Sequence, residues 1–508
     1  MLEFEDLTTL QIVILAVYFA ILLVLSFYGS HRYTIVHLYK KFAKGGDPEP
    51  KAHFSGDSLP VVTVQLPLFN ERYVVERLIL AVCELDYPRE KLEIQVLDDS
   101  TDDTTEKAAR LVETMQDEGF DIKLYHREDR TGYKAGALEA GLAVARGEFV
   151  AVFDADFVPR PSFLQETIHH FTDDNIGMVQ ARWEHINREF SLLTRAQAIL
   201  LDGHFVLEHT ARNRSGRFFN FNGTAGIWRA QTIEDAGGWE HDTLTEDLDL
   251  SYRAQLEGWE FRFLRDVTAP SEIPVEMNAF RSQQHRWAKG SIQTALKLLP
   301  RILKSDLPRH IKVEAFHHLT SNFAYLLMVV LAVLMPLATI IRIHQGWYEA
   351  LFLDLPIFLG ATFSICYFYW VSQREIGRNA WEILGLIPAV LGLGIGVSVN
   401  NAKAVLEAMV GHQSPFVRTP KYGISESPGH SANRWWDSKL YIRKSTILPM
   451  VEFALGAWFT YGIGFVLVST DHSFFSVPFL VLFQFGFFYV AILSVFQGLR
   501  GSRGLAKE

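Results

Sequence analysis

The segment Glu148 to Phe157, EFVAVFDADF, runs apolar from Phe149 to Phe153 and stops at two aspartates one residue apart, Asp154 and Asp156. Carboxylates at i and i+2 beyond a buried strand emerge together and can share a hard divalent cation. Mg²⁺ or Mn²⁺ needs only one or two such ligands when phosphate oxygens supply others. The chemistry open to this arrangement is that of nucleoside diphosphates. A lone D-x-D also fits a turn or a helix cap, so the rest of the chain must decide. A second acidic pair, Asp98 and Asp99, follows the strand candidate Ile94 to Leu97. Of two acid clusters at equivalent strand ends, one can hold a base or ribose and the other a metal and diphosphate; a capped helix start over Asp98 to Asp103 is the alternative. Lys134, in RTGYKAGAL, stands where a glycine turn feeds a helix, which suits a diphosphate and equally suits a solvated lysine.

Three later stretches carry further candidates. FFNFNGTAGIW, Phe218 to Trp228, with Asn222, Gly223 and Thr224, reads as a tight loop, either a sugar-sized wall or core with turns. In LTEDLDLSYRAQLEGW, Thr245 is placed to cap a helix whose first turn holds Glu246 and Asp247. The helix dipole favours acids there, and an acid in a cleft can also take a proton from a sugar hydroxyl. QQHRW brings Gln283, Arg286 and Trp287 together: arginine clamps diphosphate and tryptophan stacks on a sugar face, although an Arg-Trp pair also packs for its own sake.

The elements that must position these residues read as a β/α alternation. Strands are expected at Val61 to Leu66, Ile94 to Leu97, Lys123 to Tyr125 and Phe149 to Phe153, with helices at about Glu71 to Cys83, Thr104 to Met115 and Ala135 to Ala145. This order argues for a mostly parallel, Rossmann-like sheet covered by helices, and such sheets bind ligands at their carboxyl edge.

With 508 residues, 49% hydrophobic and 38 Phe, the chain is long and apolar enough that part of it belongs in lipid. The net charge of −10 is interspersed, which excludes the basic face of a nucleic-acid binder. Its two cysteines, Cys83 and Cys366, imply neither a disulfide framework nor a zinc site. Leu7 to Ser30 is a run of 24 uncharged residues, read as a retained anchor. Acidic residues precede it and Arg32, Lys40, Lys41 and Lys44 follow, so the positive-inside rule puts the N-terminus outside. Leu319 to Ile341, Leu355 to Gln373, Ile383 to Ala402 and a hairpin over Phe453 to Leu499 also have spanning length. Counting all of them as crossings would export the basic 400–448 loop and the basic tail. Placing the Gly- and Pro-containing Ile383 to Ala402 stretch in the interface keeps both inside, with five crossings.

DDS at Asp98, DAD at Asp154, TED at Thr245 and QQHRW at Gln283, in this order and ahead of a cluster of spans, resemble the processive family 2 glycosyltransferases of the cellulose synthase superfamily. LDDSTDDT, GYKAGAL, VQARW, FNGTAGIWR and AGGW look closest to the cellulose-synthase-like A and C groups, the β-mannan, glucomannan and β-1,4-glucan synthases. The resemblance implies an α/β GT-A fold in the cytoplasm, an α-helical transmembrane channel, a nucleotide-sugar donor (UDP-glucose or GDP-mannose), Mg²⁺ or Mn²⁺, and inverting transfer to a growing polysaccharide. It implies donor contacts from Asp98, Asp99, Lys134, Asp154 and Arg286, metal binding by Asp154 and Asp156, and Asp247 as general base beside Glu246. Gln283, Trp287, Asn222, Gly223 and Thr224 would meet the acceptor. FVRTPK resembles the family's F-x-V-T-x-K gating loop, with Phe416, Thr419 and Lys421 matching and Arg418 standing where the pattern has Val.

The organisation this implies is an anchor over 1–45, a cytoplasmic catalytic domain over 55–300, an interface helix and spans over 301–400, a gating loop over 401–448 and a hairpin with a basic tail over 449–508. The expected location is the cell membrane with the C-terminus cytoplasmic; partners for export are not specified by the sequence. The rival readings are single-sugar transfer to a ceramide or polyprenyl-phosphate lipid, and a transporter with a nucleotide-sensing domain. The second calls for ionisable residues within the spans, which carry almost none.

Overall fold

The computed structural model describes residues 7–43, 45–347, 351–414, 418–424, 447–469 and 476–505. Seven strands form one sheet in the order β3-β2-β1-β4-β6-β5-β7. β1 (Val62–Leu68), β2 (Leu92–Asp98), β3 (Ile122–His126) and β4 (Phe149–Val152) run parallel. Helices Val75–Cys83, Thr104–Asp117 and Tyr133–Leu142 alternate with them. β1, β2 and β4 are buried on both faces, as a parallel sheet requires.

The far half departs from the simple alternation. β5 (Ile176–His185) and β7 (Glu260–Ser271) pair in parallel, and β6 (Gly226–Arg229) lies antiparallel between β4 and β5. The chain order switches direction on either side of β1, so the carboxyl ends of β1, β2 and β4 open a crevice along one edge.

Two helices close that crevice. Glu246–Leu256 begins at the cavity. Met277–Lys304 is one continuous helix, where an amphipathic stretch was expected only near Ile292 to Ile302. The two meet at Gly290, where an added Cβ would lie 2.5 Å from Thr245 Cγ2 and 2.8 Å from the Thr245 backbone nitrogen. Thr245 makes no side-chain cap bond, contrary to expectation; its hydroxyl faces Thr294 at 3.4 Å instead. Because the close approach involves backbone, Gly290→Ala is expected to cost about 1–3 kcal/mol, read as a lower midpoint of thermal unfolding in detergent. It should also reduce turnover, because the turn it displaces carries Glu246 and Asp247.

Among the described residues, five helices are long and apolar enough to cross a membrane: Thr9–Phe42, Phe323–His344, Ala380–Met409, Leu448–Ser469 and Val477–Gly498. Leu351–Glu375 is a further 25-residue helix. The stretch expected over Ile383 to Ala402 is two helices, Ala380–Gly396 and Ser398–Met409, joined at Val397. The first alone has 17 residues, about 25 Å at the usual rise against a hydrocarbon core of roughly 30 Å, so the stretch reaches spanning length only together with the second. It packs through Leu386, Val390 and Leu393 in one cluster with Leu193, Ala196 and Ile199 of the sheet-bearing lobe. Leu448–Ser469 and the final helix pack antiparallel, Phe453 against Phe488 and Phe459 against Phe483, each at 5.2 Å between ring centres. A buried ion pair, Arg281 to Glu452 at 2.8 Å, ties this hairpin to the Met277–Lys304 helix.

Candidate active site

Asp154 and Asp156 follow β4 directly. The Asp154 amide donates to the Thr224 hydroxyl at 2.9 Å, and its carboxylate accepts from the Lys134 ammonium, which also donates to the Gly223 carbonyl at 2.8 Å. Asp156 accepts from Lys421. Each carboxylate of the D-x-D therefore already faces a positive charge, and together they offer the hard oxygen donors that Mg²⁺ or Mn²⁺ takes. The residues present fit such an ion.

Opposite them stands Asp247, in the first turn of its helix, with one oxygen accepting the Leu248 amide at 2.8 Å. Burial and then the neighbouring Glu246 charge push its carboxyl up to about 7, against the pull of Lys134. Gly223, at φ +80°, leaves room for it: a Cβ there would come within 3.0 Å of Asp247 Oδ2. Gln283, Arg286 and Trp287 stand at i, i+3 and i+4 on one helix face and line the same cavity. Burial draws the Arg286 guanidinium down, and Glu246, Asp154, Asp247 and Asp156 all oppose that.

Asp99 also lines the cavity and is gripped by Arg127 through Nε at 2.8 Å and Nη2 at 2.6 Å. Asp98 does not reach it. Fully buried, it holds the Ser100 amide (3.1 Å), the Thr105 hydroxyl (2.6 Å) and the His126 ring (2.8 Å) with its oxygens. Thr224 is likewise fully buried behind Asp154. Phe416 lies outside the described residues. Thr419 and Lys421 are in the cavity wall with Arg418. Their segment is fastened by Glu272, whose carboxylate accepts the Tyr422 and Ile424 amides at 2.8 and 3.1 Å.

Several wall residues escaped the sequence reading. Glu71 follows β1 just as Asp99 follows β2, so the rule that located the acid pairs could have found it. Arg418 Nη2 lies 3.4 Å from the Glu71 carboxylate, and its Nη1 donates to the Phe69 carbonyl at 3.1 Å. Burial drives the Glu71 carboxyl up to about 8, with Arg418 opposing. Arg130 sits over the Phe69 ring, 3.2 Å from its centre. Among the described residues, one group of three acids lies close enough to share an ion, Glu240, Asp242 and Asp249. Lys297 reaches all three, at 2.8 Å from Asp242 and 3.0 Å from Asp249, making a salt-bridge network.

The family models that match are Glycosyl transferase family 2 over residues 63–231 and Glycosyl transferase family group 2 over residues 149–370. Glucomannan 4-beta-mannosyltransferase 2 of Arabidopsis thaliana is 37% identical over 405 residues, 74% of this chain and 76% of that protein. The chain belongs to glycosyltransferase family 2. Glucomannan 4-beta-mannosyltransferase 1 of Oryza sativa subsp. japonica is 44% identical over 263 residues, 51% of this chain and half of the relative's length. Among solved structures, the mannosyltransferase PcManGT from Pyrobaculum calidifontis, in complex with GDP-Man and Mn2+, superposes with a TM-score of 0.53 at 21% identity, over 79% of this chain and all of its own. That likeness confirms the GT-A fold of this family 2 glycosyltransferase.

Proposed function

We propose that this glycosyltransferase polymerises a β-linked glycan of the mannan or glucomannan type from GDP-mannose, with UDP-glucose as the other candidate donor, and passes the product through its own membrane helices. The observation that carries the reading is the meeting of Asp154, Asp156, Lys134, Arg286 and Asp247 in one cavity, beside helices long enough to span a bilayer. The names of the curated relatives favour the mannosyl donor.

Asp247 takes the proton from the acceptor hydroxyl as its oxygen bonds to the anomeric carbon from the face opposite the diphosphate. The anomeric carbon–oxygen bond breaks, the nucleoside diphosphate leaves with that electron pair, and an α-linked donor gives a β-linked product. Lys134, Arg286 and Lys421 meet the charge that develops on the leaving group. Asp154 and Asp156 would hold Mg²⁺ or Mn²⁺, which as a Lewis acid supplies further charge neutralisation there. Asp99 faces the nucleotide, and Gln283, Trp287, Asn222 and Gly223 face the acceptor. The 401–448 segment lies on the cytoplasmic side, where Thr419 and Lys421 can close over the donor, and the N-terminus lies outside.

The base must be unprotonated to work. With Asp247 at about 7 in the free enzyme, kcat/KM is expected to fall tenfold per pH unit on the acid side of that value, with bound metal moving the limb to lower pH. A profile flat from pH 5 to 8 rejects Asp247 as the base. The function itself is tested by incubating purified protein with Mn²⁺ or Mg²⁺ and a panel of nucleotide sugars, followed by linkage and length analysis. A β-linked ladder from GDP-mannose or UDP-glucose supports the reading; a single lipid-soluble glycoside overturns it in favour of a lipid acceptor.

A further inference from the structure

The Met277–Lys304 helix has two working sides. Gln283, Arg286 and Trp287 line the cavity, while Arg281, His285 and Lys289, spaced four apart, form a stripe on the opposite side. Each side chain of that stripe ends on a carboxylate of the apolar helices. Arg281 Nη2 donates to Glu452 at 2.8 Å, and His285 Nε2 and the Lys289 ammonium donate to Glu407 at 3.1 and 3.2 Å. Glu452 stands one turn into Leu448–Ser469, and Glu407 lies near the end of Ser398–Met409. Uncharged groups extend the seam. The Met277 amide donates to Gln497 Oε1 at 2.7 Å, Arg281 Nη1 donates to the Ser494 hydroxyl at 2.9 Å, and Asn400 Nδ2 donates to the Arg281 carbonyl at 2.9 Å. Lys289 also donates to the hydroxyl of Ser414, four residues before the wall residue Arg418.

The charges set this seam apart from ordinary helix packing. A carboxylate within an apolar span is costly and is kept for a partner or a role. The Glu452 side chain is 0% exposed and that of Arg281 6%, and the second Glu452 oxygen makes no hydrogen bond among the described residues, so Arg281 is what compensates its charge. Apolar side chains would fasten two helices as firmly. A buried ion pair opened by a slide or a roll of the helix leaves an unmatched charge, however, so it penalises displacement even where it adds little net stability. The setting that satisfies Glu452, Glu407, Ser494 and Asn400 together also sets the far side of the same helix, where Gln283, Arg286 and Trp287 stand. A displacement of about 1 Å at a reacting centre can cost on the order of a hundredfold in rate.

We propose that Glu452 and Glu407 are positioning residues for the acceptor site, acting through Arg281, His285 and Lys289 to hold the Met277–Lys304 helix in the one setting that aims Gln283 and Trp287 at the acceptor. This rests on the reading above in which those two residues meet the acceptor. The test uses the full-length protein in detergent with Mn²⁺, the donor that the panel selects, and β-1,4-linked mannotetraose or cellotetraose to match it. Glu452→Gln and Glu407→Gln keep the length of the side chain and remove its charge. Each is expected to raise the acceptor KM at least fivefold and, because Arg286 rides on the same helix, to lower kcat at least fivefold. Donor Kd by calorimetry should stay within twofold, since Asp99, Lys134 and Asp154 lie on other elements. Loss of folded enzyme lowers kcat alone and moves no KM, so the acceptor KM separates positioning from mere instability. Should Glu452→Gln fail to elute as a single species, Ser494→Ala, which takes one bond from Arg281, is expected to raise the acceptor KM about twofold, and the more exposed Glu407→Gln stands as before. Folded variants with the acceptor KM of the parent, or with acceptor KM and donor Kd shifted alike, overturn the proposal. Trp287→Ala is measured beside them: an acceptor KM unmoved by that change overturns the acceptor reading itself, and the positioning role with it, whereas a shift with Trp287→Ala alone overturns only the positioning role.

Discussion

Asp247→Asn is expected to abolish polymer formation while leaving the donor bound. Asparagine keeps the shape of the side chain and the oxygen that accepts the Leu248 amide, so the first turn of the Glu246–Leu256 helix should stand as before. What it loses is the capacity to accept a proton. Positioned general bases contribute on the order of a hundred- to ten-thousand-fold to rate, and turnover should fall by that factor with little change in donor affinity. Removing the charge also relieves the repulsion from Glu246 that helps hold the Asp247 proton, so the variant should fold at least as stably as the parent. Donor titration by calorimetry beside a nucleoside diphosphate release assay separates the two effects. Normal polymer yield from the variant rejects Asp247 as the base. Loss of donor binding in step with turnover would make it a binding residue.

What could be read without coordinates follows from which strands are buried on both faces. β4 is an apolar run, β1 and β2 interleave Thr63, Gln65, Glu93 and Gln95 with aliphatics, and β2 and β4 end at acid pairs, so the crevice and much of its wall were legible. The second half of the sheet was not. β6 is four residues inside a glycine-rich loop, and β7 carries Arg262, Arg265, Asp266 and Pro270, which no strand pattern would favour. Its irregular pairing with β5, shifted between Ala181 and Arg182, absorbs that chemistry. The catalytic face of Met277–Lys304 was hidden for a related reason: QQHRWAKG is polar on the side that lines the cavity, so the apolar period became visible only past Gly290. Asp98 has the type and place of a site residue, and the structure turns its oxygens to Ser100, Thr105 and His126. Arg418 looked like a departure from the gating pattern, and the structure gives it a partner, Glu71, that the sequence reading had passed over.

The second large effect concerns the cation. Six carboxylates line the cavity, Glu71, Asp99, Asp154, Asp156, Glu246 and Asp247, against five cationic side chains, Arg130, Lys134, Arg286, Arg418 and Lys421. In the working enzyme near neutral pH, with Glu71 at about 8 keeping its proton and Asp247 ionised, five carboxylates balance five cations, and the wall has no net positive charge to offer a diphosphate carrying two negative charges of its own. A divalent cation entering with the donor cancels the donor's charge, and the lysines on Asp154 and Asp156 show that both carboxylates are placed to receive positive charge. Removing the metal from the wild type with excess chelator is therefore expected to abolish transfer, and Mn²⁺ or Mg²⁺ to restore it. Asp156→Ala deletes one oxygen ligand from the cation site. Lys421 keeps its bond to the Glu272 carbonyl, so the segment should remain seated while the cation site is lost. Activity in saturating metal should then drop about a hundredfold, as expected when a group that neutralises leaving-group charge is removed, and what remains should no longer respond to chelator. Wild-type activity that persists in excess chelator, or an Asp156→Ala enzyme with an unchanged metal titration, would show that the paired aspartates serve the loop and not an ion.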